Sequence, residues 1–299
     1  MKKLLILPFL FACIFAVQAQ RSYTLTSPNG HLATAITAGE TLTYDIVRDG
    51  KTLMMPSPIS LILSDGRKWG PAAHIQKALR ATVDETVSAP FYRASEIRDR
   101  YNALTLRMRG GWSVEFRVYD DGVAYRFATT SKEPFEIMNE QAEYRFSEER
   151  PVTVPYVRDH AGNIDAQWRN SFENTYTETT LSKLDAGRLI FLPLVVDAGD
   201  GVKVCITETD LNDYPGMYLW NGDGGQHLTA RFAPYPKRVE QGGYNNLQMI
   251  VEEREPFIAR IGKARSFPWR VAIVGTDTQI AASDLSFLLA APSKLADTS

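Results

Sequence analysis

The chain has 299 residues, a formal net charge of −2 from 33 basic and 35 acidic side chains, and 11% aromatic residues. It carries no basic stripe or polybasic block, which excludes the electrostatic footprint of a nucleic-acid binder. A chain this long buries about three quarters of its unfolded surface, enough to be held by its own core.

The first element is a leader. Met1-Lys2-Lys3 is basic, Leu4 to Phe15 is almost unbroken apolar, and Val17-Gln18-Ala19 has the small residues a signal peptidase needs. The run is shorter than the roughly 20 residues that span a bilayer. Cys13 sits inside it behind Phe11 and Ala12, a poor approach for lipid attachment. The expectation is cleavage after Ala19, export to a bacterial periplasm and no membrane span. Cys205 is then the one cysteine left, so no intramolecular disulfide forms. Its place in the alternating Val202–Thr207 stretch marks it as a small buried apolar residue.

From there the dominant period is two. Leu42, Tyr44 and Ile46 alternate with polar residues, and Asp49-Gly50 turns the chain into Thr52–Met54. Leu104–Met108, Trp112–Val118 and Val123–Phe127 alternate in the same way, separated by Gly110-Gly111 and Asp120-Asp121-Gly122. These are antiparallel hairpins with the expected turn residues. Leu189–Val196 is continuously apolar, which predicts a fully buried strand with a bulge or end at Pro193. Further strands are expected at Tyr23–Thr26, His31–Thr37, Ile59–Leu63, Leu228–Phe232, Leu247–Val251 and Arg270–Val274, with one helical turn at Leu181–Asp185. A dozen or more strands and almost no helix before residue 277 predict a sandwich of two large sheets. Thr276 with Gln279 reads as the start of a short helix through Ala290, ended by Pro292. The expected organisation is a leader over 1–19, one β-domain over 20–275, and a helical linker beginning at 276–299. That tail closes no domain, so the chain reads as stopping where a further one would begin.

Arg158 to Glu178 breaks the strand period and concentrates carboxylates, amides, His160, two arginines and aromatics. Irregular loops on β scaffolds are where binding residues gather. Sugar recognition uses this mixture, flat rings for the C–H face and planar polar groups for hydroxyls. The 13 Tyr and 5 Trp, many near turns, suit a surface for a neutral, hydroxyl-rich ligand. The same loop reads equally as a solvated surface whose charges pair with one another. Glu173 and Glu178 could flank a glycosidic bond, but nothing fixes their separation. As cation ligands they offer too few of the roughly 6–8 oxygens calcium takes, so at best the chain contributes one or two ligands to a shared site. The four His show no zinc spacing, and no nucleophile elbow or phosphate loop is present.

Several strings, taken in order, resemble glycoside hydrolase family 97. They are Phe116–Phe127, Ile206–Met217, Phe232–Pro236 and Pro268-Trp269-Arg270. The resemblance implies an all-β fold, a large antiparallel β-supersandwich of the galactose-mutarotase-like kind with a short C-terminal helical linker. It implies a following (β/α)8 barrel as the domain's partner, which supplies the catalytic carboxylates of a calcium-dependent α-glucosidase or α-galactosidase acting on oligosaccharides. No catalytic residue is then expected in this chain. The string Phe172-Glu173-Asn174-Thr175-Tyr176 carries over Glu173 as a calcium ligand, and Asn170 and Tyr176 follow as substrate-side candidates by proximity. The alternative is a stand-alone exported carbohydrate-binding or structural sandwich without catalysis.

Overall fold

In a computed structural model the described residues are 20–89, 92–169 and 173–292. Among the described residues two large antiparallel sheets face one another. The nine-stranded sheet runs Arg21–Thr26, Leu32–Ala38, Leu42–Arg48, Lys51–Leu63, Phe135–Arg145, His227–Phe232 and Met217–Trp220, with Lys68–Trp69 and Ala259–Ile261 attached. The ten-stranded sheet runs Thr177–Thr180, Pro151–Val154, Leu194–Gly199, Val202–Thr209, Trp269–Gly275, Gly122–Thr129, Trp112–Tyr119, Glu96–Met108 and Ile75–Ser88, with Arg265–Ser266 attached. The all-β supersandwich is therefore as expected.

Turn chemistry sets the hairpins. Asp49 and Gly50 both adopt positive φ (50° and 80°), the two-residue geometry that matches strand twist. Alternation then sorts side chains. Leu104, Leu106, Val114, Phe116, Tyr125 and Phe127 point to the core shared with the other sheet. Tyr101, Tyr119, Ala124 and Cys205 point the other way, into a second cluster. Two short helices, α1 (Asp277–Ala282) and α2 (Leu285–Leu288), cover that second face, with Leu285 and Leu289 buried in it. A Cβ at Gly122 would run into the Leu285 side chain and the Ala272 carbonyl, so glycine is what lets α2 lie this close.

Strand Trp269–Gly275 is buried at every position because both its faces are covered. One of its inward positions is Arg270. Its Nε and Nη2 donate to Glu140 Oε1 and Oε2, each at 2.7 Å, across the gap between the sheets. Its Nη1 donates to Glu208, its direct cross-strand neighbour. Tyr214 Oη donates to Glu140 Oε2 at 2.8 Å, and Glu208 Oε1 accepts from Met217 N at 2.8 Å. Burial raises the Glu208 carboxyl above its ordinary pKa, against the field of Arg270.

Several local expectations change. The strand near Pro193 starts at Leu194, and the buried Leu189-Ile190 pair precedes it as an isolated bridge to Tyr156 and Leu219. The C-terminal helix is two helices, because Ser283 leaves helical geometry (ψ 137°) and donates from Oγ to Asp121 Oδ2 at 2.7 Å. Thr276 does form the expected capping box with Gln279. The aromatic residues serve the core more than the surface: Trp69, Trp112, Trp269, Tyr44, Tyr125 and Tyr144 are all buried.

Two measurements follow. Arg270→Met strands buried carboxylates and lowers the unfolding free energy by about 3–5 kcal/mol in urea titration, and adding Glu140→Gln and Glu208→Gln recovers part of that loss. Without the guanidinium, Glu208 holds its proton more tightly folded than unfolded, so the deficit of Arg270→Met grows as pH rises from the ordinary carboxylate range towards neutrality. Burial pushes the Cys205 thiol up to about 11. Peptide mapping after alkylation at pH 8 is expected to find Cys205 unmodified in the folded protein and modified once it is unfolded.

Candidate functional site

The irregular segment after Val157 is tied to the sandwich by one glutamine. Gln167 is fully buried in the 3-10 helix Ile164–Arg169. Its Nε2 donates to the carbonyls of His160 (3.0 Å) and Gly187 (2.8 Å), and its Oε1 accepts from Leu189 N at 2.7 Å. Gly162 N adds a bond to the Gly187 carbonyl at 2.8 Å. The segment is thus an extra layer laid against 185–189. Its following residue, Trp168, packs edge-on to Tyr218 at 5.4 Å.

Part of the loop's charge pairs internally. Arg158 meets Asp159 at 3.2 Å, and in the stretch the loop is laid against Arg188 meets Asp185 at 3.1 Å. Hydrogen bonding to Arg158 holds the Asp159 carboxyl below its usual range. Glu173 is different. It is exposed, its backbone carbonyl accepts from Arg158 Nη1 at 3.4 Å, and its carboxylate has no hydrogen bond or ion pair to another described residue. Tyr176 is 55% exposed on the same loop. Asn170 lies outside the described residues.

Glu178 stands apart from Glu173. It sits on the edge strand Thr177–Thr180 opposite Thr153, and its field, behind that of Asp277, helps raise Lys203. It is fixed in the sheet, whereas Glu173 rides the loop.

As metal ligands, the described residues offer no group of three or more His, Cys, Asp or Glu. Glu173 alone supplies at most two of the roughly 6–8 oxygens calcium requires. An exposed carboxylate with no hydrogen bond or ion pair to another described residue fits one position of a shared calcium site, and the described residues supply no complete one. His160 is exposed at a positive-φ turn, and His31 is bonded to Asp49 at 2.6 Å, so neither joins a cluster.

Beside the loop lies a cleft of about 430 Å³ lined by Trp168, Asp213, Tyr214, Tyr218, Tyr235 and Arg254. Sequence reading had Trp168 in its candidate loop and Tyr235 in a family string, but it missed Tyr218 and Arg254. Nothing in one dimension marks them, since Tyr218 lies in an ordinary strand. A second hollow of about 460 Å³ near Asn29, Asp49 and Asp120 is occupied with its own bonds, including Asn29 N to Asp120 Oδ1 at 2.8 Å.

The sequence matches the family described as Glycosyl-hydrolase 97 N-terminal over residues 25–292. The chain belongs to that family. A retaining α-galactosidase of Bacteroides thetaiotaomicron is 52% identical over 301 residues, covering 100% of this chain and 46% of that protein. A probable retaining α-galactosidase of Streptomyces bingchenggensis is 25% identical over 279 residues, covering 92% of this chain and 38% of its own length. A family 97 glycoside hydrolase of a Pseudoalteromonas species, solved with acarbose, superposes with a TM-score of 0.73 at 22% identity, over 92% of this chain and 39% of that one. A β-arabinopyranosidase gives 0.68 at 20% identity, over 85% and 40%. These two structures speak for the fold. The family 97 N-terminal domain described here spans less than half the length of the curated relatives it matches.

Gln167→Leu removes the side-chain hydrogen bonds to the His160 and Gly187 carbonyls and leaves the buried Leu189 amide without its acceptor. It is expected to lower stability by about 2–3 kcal/mol and to speed limited proteolysis within 158–176, read by mass spectrometry, while cuts elsewhere stay slow.

Proposed function

We propose that this chain is the exported N-terminal module of an α-galactosidase that hydrolyses α-galactosidic bonds of oligosaccharides and needs calcium. The observation that carries this reading is the 52% identity to a retaining α-galactosidase, sustained over the whole chain. The leader over 1–19 supports export to the periplasm. In this reading the acid, base and nucleophile belong to a following barrel, and the sandwich forms one wall of the sugar pocket.

Glu173 is the residue assigned to the metal. Its carboxylate is exposed and makes no hydrogen bond or ion pair to another described residue, on a segment where Arg158 and Asp159 pair with each other. Calcium bound there would orient carboxyls and sugar hydroxyls and offset developing negative charge. The residues of this chain do the rest. Gln167 holds the loop in register, Arg158 Nη1 donates to the Glu173 carbonyl, and Trp168 packs the loop against Tyr218. Asn170 and Tyr176 are the substrate-side candidates, three residues before and after Glu173 in sequence.

The test uses the full-length protein with p-nitrophenyl α-galactoside and α-glucoside. Turnover of the galactoside is expected to exceed that of the glucoside, to fall on chelation, and to return with added calcium. Glu173→Gln is expected to weaken calcium by about 10–100-fold, read as the calcium concentration restoring half activity. Turnover indifferent to both chelation and Glu173→Gln sinks the shared metal site, and a preference for the glucoside sinks the assigned substrate.

A further inference from the structure

Strands Pro236–Gly242 and Gln248–Arg254 pair only with each other and belong to neither large sheet. No residue of either strand is buried. The ribbon is anchored at its base, where Glu255 N donates to the Tyr235 carbonyl at 2.8 Å, Arg254 Nη1 donates to the Pro234 carbonyl at 2.7 Å, and Tyr235 lies 5.4 Å from Phe257. Arg238 and Glu253 pair across the strands near that base at 2.9 Å. Among the polar residues of its far half, Tyr244, Leu247 and Met249 are 80%, 81% and 67% exposed, and Val239 nearer the base is 40% exposed. A two-stranded ribbon is marginal alone in water, and exposed apolar residues gathered at one place mark a contact surface.

Among the described residues the remaining large exposed apolar side chains are Tyr235 and Leu211 by the ribbon base, Tyr176 on the Glu173 loop, and Met55 elsewhere. The last described residues leave the sandwich on this side, since Ala291 N donates to Asp210 Oδ1 at 3.3 Å. Asp213, three residues on and so within about 10 Å, lines the cleft at the ribbon base. The relatives carry more than half of their length beyond the part this chain matches.

We propose that the 236–254 ribbon is a clasp that lies against the second module of the full-length polypeptide, with Tyr244, Leu247 and Met249 as its contacts. This rests on the reading that the sandwich is followed by such a module. The clasp holds the two modules in the orientation that brings the Glu173 loop to the shared pocket, and the ribbon gains there the burial it lacks on the sandwich.

Amide hydrogen exchange tests it in the full-length protein and in the 299-residue chain. Amides of 239–251 are expected to exchange about tenfold or more slowly in the full-length protein. The slowing should not depend on protein concentration, and the pair Leu247→Asp and Met249→Asp should abolish it. In the 299-residue chain the same substitutions are expected to change little, because both side chains are already exposed there. Strand Trp269–Gly275 should stay protected throughout. Equal exchange in the two proteins overturns the clasp. Slowing that vanishes on dilution also overturns it and gives the surface to a second copy of the chain. Galactoside turnover is not the readout: a full-length protein inactive on galactosides but protected at 239–251 would overturn the assigned activity and leave the clasp standing.

Discussion

The sandwich is organised around a charge that has no access to water. Arg270 is buried between the sheets, and every donor it offers to Glu140 and Glu208 is answered by a carboxylate oxygen. The attraction is worth something only because the geometry is complete; a buried cation missing one partner is costly. Completeness requires residues from distant parts of the chain to arrive together. Glu140 comes from the nine-stranded sheet, Glu208 and Arg270 from the ten-stranded sheet, and Tyr214 from the turn that also lines the cleft. Hydrophobic burial alone would let the two sheets slide, because apolar contact is not directional. The bidentate contact fixes their register.

The same network joins core to surface. Tyr214 donates to Glu140 on one side and contributes to the cleft on the other, and Met217, whose amide is held by Glu208, begins the strand that carries Tyr218. Trp168 then rests on Tyr218, and Gln167 ties the preceding turn to Gly187 and Leu189. The candidate loop is thus supported by a continuous path from the inter-sheet charges outward, which is how an irregular segment gains a defined position on a β scaffold.

Much of the fold was legible because alternation survives wherever one face is wet. Leu104–Met108 and Trp112–Val118 were readable for that reason, and Val123–Phe127 because Arg126 keeps a polar position on its second face although Ala124 is buried there. Ile75–Ser88 was not, since this edge strand is exposed almost throughout and has no buried side to betray. Phe135–Arg145 was hidden by Glu140, a charge at an inward position whose partner lies 130 residues away in sequence. The family strings Ile206–Met217 and Pro268–Arg270 turn out to contain Glu208, Tyr214 and Arg270, but a string cannot say that its members meet. The loop around Glu173 was visible from its lost periodicity. The cleft beside it was not, because Tyr218 and Arg254 become neighbours of Trp168 only in three dimensions.

The position of Trp269–Gly275 has a consequence for biogenesis. Among the described residues this strand is the last long one, yet it lies in the middle of its sheet, between Val202–Thr209 and Gly122–Thr129. Until it emerges from the ribosome, the strands on its two sides have no backbone partner linking them, and each presents an open edge. Closure therefore waits until Trp269–Gly275 has been made, and a nascent chain stalled before Trp269 holds two half-sheets waiting for their keystone.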